Sequence, residues 1–211
     1  GKTPCANTYQ YVCDHMDKSA LEAEIEAFTA EIAAKKADKS AGKLRKWRQL
    51  AIDGKALRGT DRHVAPGREA HMVVSVYVVG TRRVCKQALV EKKGKEPAAA
   101  MSLVEQLKLK GCVVSADALH TRPKWCRAVR QRGGHYLLIV KGNRPELYED
   151  ISLLFEAGPF PDLPEQRAQT VDKKHGRLEV RTLRISSALT DFLKPGWPDV
   201  AQVFKIEMSP I

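Results

Sequence analysis

The chain has 211 residues, of which 43% are hydrophobic and 29% charged, enough for one sizeable core and a smaller appendage. Its formal net charge of +11 favours a polyanionic partner, nucleic acid first and an acidic membrane surface second, although a protein can be basic without such a partner. No apolar stretch approaches the roughly 20 residues that span a bilayer, and no signal peptide is recognisable, which argues against a membrane protein.

The cysteines are odd in number, and no pair has zinc-finger or C-x-x-C spacing. They are Cys5, Cys13, Cys85, Cys112 and Cys126. We expect reduced thiols in a cytoplasmic protein. Because the chain begins with Gly1 rather than methionine and neither end resembles a designed terminus, we also expect a fragment.

Residues 1–34 are predicted to be helical, because apolar residues recur on one helical face, with Ser19 as a predicted cap. The apolar residues are Leu21, Ile25, Phe28 and Ile32. The following segment, 35–49, is rich in lysine and arginine and is predicted to be a basic linker. Two interpretations stay open: an arm on phosphates with Trp47 available for stacking, or a solvated tether.

From residue 50 the pattern predicts three strands, then alternating helices and strands, which form a mixed sheet with helices on its faces. The predicted strands are 50–57, 71–80, 83–91, 112–118, 135–142 and 178–186, the second and third joined as a hairpin. The helix after Pro97 is predicted to stop at Gly111. Thr121 and Asn143, the latter with Glu146, are predicted to cap the next two helices.

Two aspartates lie where predicted buried strands end. Asp53 lies within "LAIDGKAL", and Asp117 follows the apolar run "CVVSA". An Asp-Gly pair can mark a hairpin, but the flanking runs are too short here. Ligand sites of α/β sheets lie at the carboxyl ends of strands, and two carboxylates there repel each other unless a cation joins them.

Mg²⁺ and Mn²⁺ prefer oxygen ligands, and paired ions can drive phosphodiester hydrolysis or transfer. With the basic charge, the carboxylate pair therefore predicts chemistry on a DNA or RNA backbone. The alternative of two unrelated turn or capping aspartates stays open.

The helix after Asp117 is strongly basic, which predicts either phosphate contact or a solvated face. Its cations are Arg122, Lys124, Arg127, Arg130 and Arg132. Lys141, after the next strand, is a candidate for neutralising a phosphate. His120, His135 and His175 lack metal-pair spacing and are interpreted as surface or capping residues.

The strings "IDGKALRG", "HMVVSVY", "SADALHT", "GGHYLLIVKGN" and "DKKHGRLEVR" resemble the H-repeat-associated group of insertion-sequence transposases, which belong to the DDE superfamily. The resemblance runs from about residue 3 to the end. It implies a ribonuclease-H-like α/β fold, a mixed sheet flanked by helices, with a short helical N-terminal segment and a C-terminal β insertion. By this resemblance, 1–34 is a remnant of the N-terminal region, 35–49 a linker and 50–211 a partial catalytic domain.

The resemblance also implies a site. Asp53 and Asp117 match the two catalytic aspartates, which in the family bind two divalent ions, Mg²⁺ or Mn²⁺, together with a glutamate. The ions activate water to nick a transposon end, and then the freed 3′-hydroxyl to attack target DNA. The residues expected to contact DNA are Lys55, Arg58, Arg122, Lys124, Arg127, Lys141, His175 and Arg177. The expected setting is a homodimer on transposon ends and target in the bacterial cytoplasm, associated with the nucleoid and not with a membrane.

The chain departs from the family pattern at the third acid. The family's glutamate lies on a later helix, in a His-Trp-x-x-Glu-Asn stretch that is absent from these 211 residues. Glu179 is a weak candidate, because its motif belongs to the family's β insertion and predicts a strand, and Glu207 is weaker still. We therefore expect an incomplete copy that is inactive or nearly so by itself.

Smaller departures lie beside the expected site. Arg122 and Arg144 stand where the family often has glutamine, and "KKGKEP" replaces a Lys-Ser-Asn-Glu pattern while keeping Lys93 and Glu96. Two other functions stay open: a non-catalytic DNA-binding remnant, and a ribonuclease-H-like nuclease that hydrolyses DNA without strand transfer. A small-molecule α/β enzyme is disfavoured, because no glycine-rich phosphate loop follows the first strand.

Overall fold

The computed structural model describes residues 5–17, 19–21, 23–25, 27–28, 47–57, 72–90, 94–156, 164–174 and 177–210. Within them, five strands form one mixed sheet. These are β1 (Arg48–Ala56), β2 (Met72–Val78), β3 (Arg83–Val90), β4 (Cys112–Ala116) and β5 (His135–Leu138). Their order is β3-β2-β1-β4-β5, with β2 antiparallel to both neighbours and β4 parallel to both of its own. The expected ribonuclease-H-like mixed sheet is confirmed.

The labelled helices of the described residues are α1 (Ala6–His15), α2 (Glu96–Gln106), α3 (Pro123–Gln131), α4 (Pro145–Phe155) and α5 (Thr190–Leu193). Helices α2 and α3 cover one face of the sheet, where alternate residues of β1, β2 and β4 are buried against Leu103, Val104, Trp125 and Val129. Among the helices described, none has the length and apolar character needed to traverse a bilayer.

The N-terminal segment is helical in two described pieces, α1 and parts of 19–28. The carboxylate of Asp17, not the side chain of Ser19, caps the second piece, since it accepts the backbone N–H groups of Ser19 (2.9 Å) and Ala20 (3.1 Å). The predicted cap was therefore wrong. Residues 29–46, which include most of the predicted basic linker, lie outside the described part of the chain.

A second sheet lies C-terminal to α4, where a β insertion was expected. Its antiparallel strands, among the described residues, are β6 (Glu165–Lys174), β7 (Arg177–Ser186) and β8 (Val203–Pro210). The guanidinium of Arg184 on β7 donates to both carboxylate oxygens of Glu165 on β6, at 2.8 and 2.7 Å. It also donates to the carbonyl of Phe155 and lies over that ring. This arginine therefore joins the second sheet to the end of α4.

The structure places Cys5, Cys85, Cys112 and Cys126 in no disulfide bond among the described residues. Burial raises the pKa of the Cys126 thiol to about 11, so this thiol stays protonated at neutral pH. The side chain of Cys13 lies outside the described residues.

Candidate active site

The register of β1 and β4 brings Asp53 and Asp117 together. The two strands are parallel, and Ile52 lies beside Ala116. An aspartate follows each of these residues: Asp53 lies within β1, and Asp117, directly after the end of β4, keeps an extended backbone (φ −68°, ψ 167°). Residues paired across a sheet project to the same face, and neighbouring strands lie about 4.8 Å apart. The two carboxylates therefore share one face at the carboxyl ends of adjacent strands.

Strand periodicity determines which face this is. Leu50 and Ile52 on β1 are buried against the helices, so Asp53 projects from the opposite face, which α2 and α3 leave uncovered. Asp117 projects from the same side because Ala116, before it, is buried against the helices. Asp53 lies within β1, which is consistent with rejecting an Asp-Gly hairpin turn here.

Polar groups line this face beside the pair. Ser75 on β2 lies directly across from Asp53, and its hydroxyl is joined to the Gln87 amide at 2.9 Å. Ser115, two residues before Asp117, donates its hydroxyl to the carbonyl of Leu50 at 3.2 Å. The surroundings of the carboxylates are thus hydrophilic and accessible to a hydrated ligand.

The charge balance at the pair is negative. Lys141 Nζ lies 3.4 Å from Asp117 Oδ1, and both side chains are more than half exposed (62% and 58%). The pKa of Asp117 lies below its ordinary value, chiefly because the backbone N–H of Ala118 favours the charged carboxylate and further because of Lys141. The Asp53 side chain forms no ion pair or hydrogen bond with another described residue. Among the described residues, one lysine thus balances two carboxylates, an arrangement that suits an additional cation.

Three side chains fix the loop that follows Asp117. The Thr121 hydroxyl donates to the carbonyl of Ile139 at 2.6 Å, and the Asn143 amide donates to the carbonyl of Ala118 at 2.7 Å. Arg144 Nε donates to the carbonyl of Thr121 at 2.8 Å. These bonds tie the segment after β4 to the segment after β5 that carries Lys141. Asp117 and Lys141 are therefore held by one framework.

The hydrogen bonds of Thr121 and Asn143 differ from the helix-capping roles predicted for these residues. The residues at the N-cap positions of α3 and α4 are Arg122 and Arg144, without a side-chain capping bond at either. Thr121 and Asn143 use their side chains for tertiary bonds instead, so both predicted caps were wrong. Helix α2 ends at Gln106, earlier than the predicted stop at Gly111.

Replacing Thr121 by valine tests this framework. Thr121 is 1% exposed, and valine keeps its shape but removes the hydrogen bond to the carbonyl of Ile139. We expect Thr121→Val to lower the free energy of unfolding by about 1 kcal/mol. Urea denaturation measures the change. Thr190→Val, which removes a hydroxyl bond to the Ser187 carbonyl at the surface, is the matched control with a smaller expected loss. Equal effects would contradict the proposed role.

The basic residues predicted to contact DNA differ in their surroundings. Lys55, Arg122, Lys124, Arg127 and Lys141 are exposed. Arg130, in contrast, donates to Asp199 (2.9 Å) and to the carbonyl of Gly134 (2.8 Å) and is only partly exposed, so it supports the fold. Arg58 and His175 lie outside the described residues, as does the side chain of Arg177, although its backbone belongs to β7.

The candidate third acids pair elsewhere. Glu179 on β7 accepts a bond from Arg181 at 2.7 Å, and Glu207 on β8 pairs with Lys205 at 2.9 Å. Within the described ranges, no three or more histidine, cysteine, aspartate or glutamate side chains are grouped closely enough to bind one metal ion directly. The structure therefore brings two of the predicted ligands together and gathers neither Glu179 nor Glu207 with them.

His120 differs from its interpretation as a surface or capping residue. It is 5% exposed, its ring lies 4.9 Å from that of Trp125, and its Nδ1 has no hydrogen-bond partner in the described structure. Burial lowers its pKa, and Asp117 opposes this effect. Sequence spacing could not have identified this residue, because its burial depends on packing under the loop after β4.

The sheet order and the two neighbouring carboxylates define a ribonuclease-H-like chain with an acidic pair on its central strands. Residues 45–192 match the family model described as the transposase DDE domain, and the chain belongs to that family. The predicted resemblance to DDE transposases is confirmed. This family generally uses divalent metal ions.

The chain is also similar to curated proteins, one of which is named a putative transposase. The chain is 31% identical over 136 residues to the H repeat-associated putative transposase YhhI of Escherichia coli K12, covering 63% of this chain and 35% of that protein. It is 32% identical over 161 residues to an uncharacterized protein in the dhlA 3′ region of Xanthobacter autotrophicus, covering 75% of this chain and 53% of that protein. The chain thus spans about half or less of these two relatives.

Among solved structures, a piggyBac transposase synaptic complex with hairpin DNA matches with a TM-score of 0.38 and 12% identity. The match covers 75% of this chain and 32% of that one.

Proposed function

We propose that this chain supplies two metal-binding carboxylates and part of the DNA-binding surface of an insertion-sequence transposase. The observation that carries the proposal is the β1–β4 register, with Ile52 beside Ala116 and an aspartate directly after each. Membership of the transposase DDE domain family supports it independently. The proposed reaction is nicking of a DNA strand followed by transfer of its 3′ end.

The chemistry of the donors fits a hard divalent cation. Mg²⁺ and Mn²⁺ prefer carboxylate oxygens, and the pair offers exposed oxygens on one face with one lysine as counter-charge. Such ions, two in the complete enzyme, would supply Lewis acidity for phosphodiester chemistry. Asp53 and Asp117 would hold and orient them. Lys141 would exchange its contact with Asp117 for one with a phosphate oxygen.

The wider arrangement follows from the same proposal. The exposed cations near Asp117 would contact the phosphates of transposon ends and target DNA, and two copies would act together on DNA. We propose that 50–211 belongs to the catalytic domain, preceded by a helical segment at 1–34 and a basic linker at 35–49.

The cleavage assay uses this chain with supercoiled plasmid and Mn²⁺. We expect salt-dependent DNA binding but little or no nicking, because no third carboxylate joins the pair among the described residues. Robust nicking that Asp53→Ala or Asp117→Ala abolishes would show a working site and contradict the expected inactivity. Nicking that survives both substitutions would contradict the site itself.

Product analysis separates the two other functions. Joined 3′ ends indicate strand transfer, whereas linear or nicked products alone indicate a nuclease. DNA binding with no cation binding at the aspartates would favour a non-catalytic DNA-binding remnant.

A further inference from the structure

We infer that Glu96 is a third carboxylate of the Asp53–Asp117 site, a positioning residue that accepts hydrogen bonds from water on the bound cation. This inference rests on the proposed function. Glu96 lies on α2 and belongs to the "KKGKEP" segment, which keeps the glutamate of the family's Lys-Ser-Asn-Glu pattern. No sequence pattern placed it in the site.

Glu96 packs against the backbone that follows the first aspartate. It is the first residue of α2, and its Cγ lies 3.8 Å from the position that a Cβ on Gly54 would occupy. Gly54 directly follows Asp53 on β1. The chain from β3 into α2 thus returns to the carboxyl end of β1, which is the end of the strand where the site lies.

The surroundings of His120 support the same placement. Burial lowers the pKa of His120. The negative charges of Asp117, Asp53 and Glu96 each act to raise this pKa. Its Nδ1 has no hydrogen-bond partner in the described structure. A single imidazole beside the loop after β4 is therefore within electrostatic reach of all three carboxylates.

Glu96 also has no hydrogen-bond or ion-pair partner among the described residues, although it is partly buried. Burying a carboxylate without a partner costs free energy, and such costs are tolerated mainly where function requires them. The N-terminus of a helix favours a negative charge, which reduces but does not remove this cost.

The geometry favours contact through water rather than direct ligation. Alternation along β1 directs Asp53 to the face opposite α2 and α3, whereas Glu96 approaches Gly54 from the side of α2, so the three carboxylates do not converge on one point. The described residues accordingly contain no ready group of three acidic or imidazole ligands. Mg²⁺ usually binds one or two carboxylates directly and keeps several water ligands. A third carboxylate can therefore accept hydrogen bonds from those water ligands.

Calorimetric titration of the 211-residue chain with Mn²⁺ tests this role without any cleavage assay. We expect Glu96→Gln to weaken Mn²⁺ binding by about 10-fold, a typical loss for a group that acts on a metal through another ligand. Glu96→Asp, which keeps the charge, is expected to retain part of the affinity. Glu105→Gln on the exposed side of α2 is the matched control and should bind as the parent does. Thermal melting in the absence of Mn²⁺ checks that each variant folds.

The outcomes separate this inference from the proposed function. If Asp53→Asn loses Mn²⁺ binding while Glu96→Gln binds as the parent does, Glu96 has no role and the aspartate site stands. Equal losses in Glu96→Gln and Glu105→Gln would indicate a general effect of charge and would also overturn the inference. If the parent fails to bind Mn²⁺, or Asp53→Asn binds it unchanged, both the inference and the proposed site fail.

Discussion

Asp53→Asn and Asp117→Asn are each expected to weaken Mn²⁺ binding by about 100-fold or more. Each substitution removes a charged oxygen donor from a pair in adjacent register on β1 and β4. Loss of an outer partner of a metal site already costs 10–100-fold in affinity, so loss of a direct ligand should cost at least as much. The double variant should show no measurable binding.

Stability without metal should change little. Asp53 forms no ion pair or hydrogen bond with another described residue, so Asp53→Asn should melt close to the parent temperature. The lowered pKa of Asp117 shows that the folded chain favours its charged carboxylate, chiefly through the backbone N–H of Ala118 and further through Lys141. Because that ion pair is exposed on both sides and contributes at most about 1 kcal/mol, we expect Asp117→Asn to melt only slightly below the parent. If an Asn variant loses Mn²⁺ binding but melts near the parent temperature, the aspartate serves the function of the site rather than the stability of the fold.

Isothermal titration calorimetry and thermal melting on the same samples measure both quantities. Asp14→Asn on α1 is the matched control, because Asp14 is exposed and forms no ion pair with a described residue. It should change neither quantity. Binding that persists in both single variants at the parent affinity would show that these two oxygens do not share a cation.

The first sheet could be predicted because its strands are buried in a regular pattern. β2 and β4 are apolar runs rich in β-branched residues, and the turn signals between them delimit each strand. The sequence indicated that Asp53 and Asp117 lie where buried strands end, and the rule for ligand sites of α/β sheets predicted that they lie at one end of the sheet. The parallel register of β1 and β4 that pairs them is seen in the structure.

The second sheet shows where this reasoning ends. Strand β6 (Glu165–Lys174) has the sequence EQRAQTVDKK, which is dominated by charged and polar residues, and no apolar alternation marks it. Strand β8 was not predicted either. Much of this sheet is exposed, and its strands are defined by pairing with β7 and by the bond between Glu165 and Arg184. Such pairings connect distant residues and leave no local pattern.

The hydrogen-bond partners around the site could not be predicted from the sequence for a related reason. Thr121 and Asn143 have the side chains of helix caps, and local spacing favours that role. In the folded chain, each side chain reaches a backbone carbonyl 18 or 25 positions away. Glu96 likewise lies against Gly54, from which β2 and β3 separate it along the chain. Sequence patterns identify which groups are present, whereas the tertiary fold selects their partners.

The substitution of three exposed cations beside Asp117 should reduce DNA affinity strongly. Arg122, Lys124 and Arg127 precede or lie on the first turns of α3 and are exposed. If each neutralises one phosphate, replacing all three by glutamine should make the slope of log K against log salt less negative by about 2.7. At 0.1 M salt this corresponds to a loss of roughly 10²- to 10³-fold. The fold should persist, since Trp125, Cys126 and Val129 provide the buried face of α3.

Fluorescence anisotropy with a labelled duplex over a range of salt concentrations measures the slope. The matched control replaces Lys108, Lys110 and Arg132 by glutamine, which removes the same charge from three exposed positions. These positions lie at the opposite end of β4 from Asp117. The bond from the Leu109 N–H to the carbonyl of Arg132 holds them close together. If binding depends only on net charge, the two triple variants will lose affinity equally. A larger loss for the variant beside Asp117 would instead mean that DNA lies across the carboxyl ends of β1 and β4, within reach of the two aspartates. Equal losses, or none, would separate the DNA-binding surface from the acidic pair and contradict their joint role.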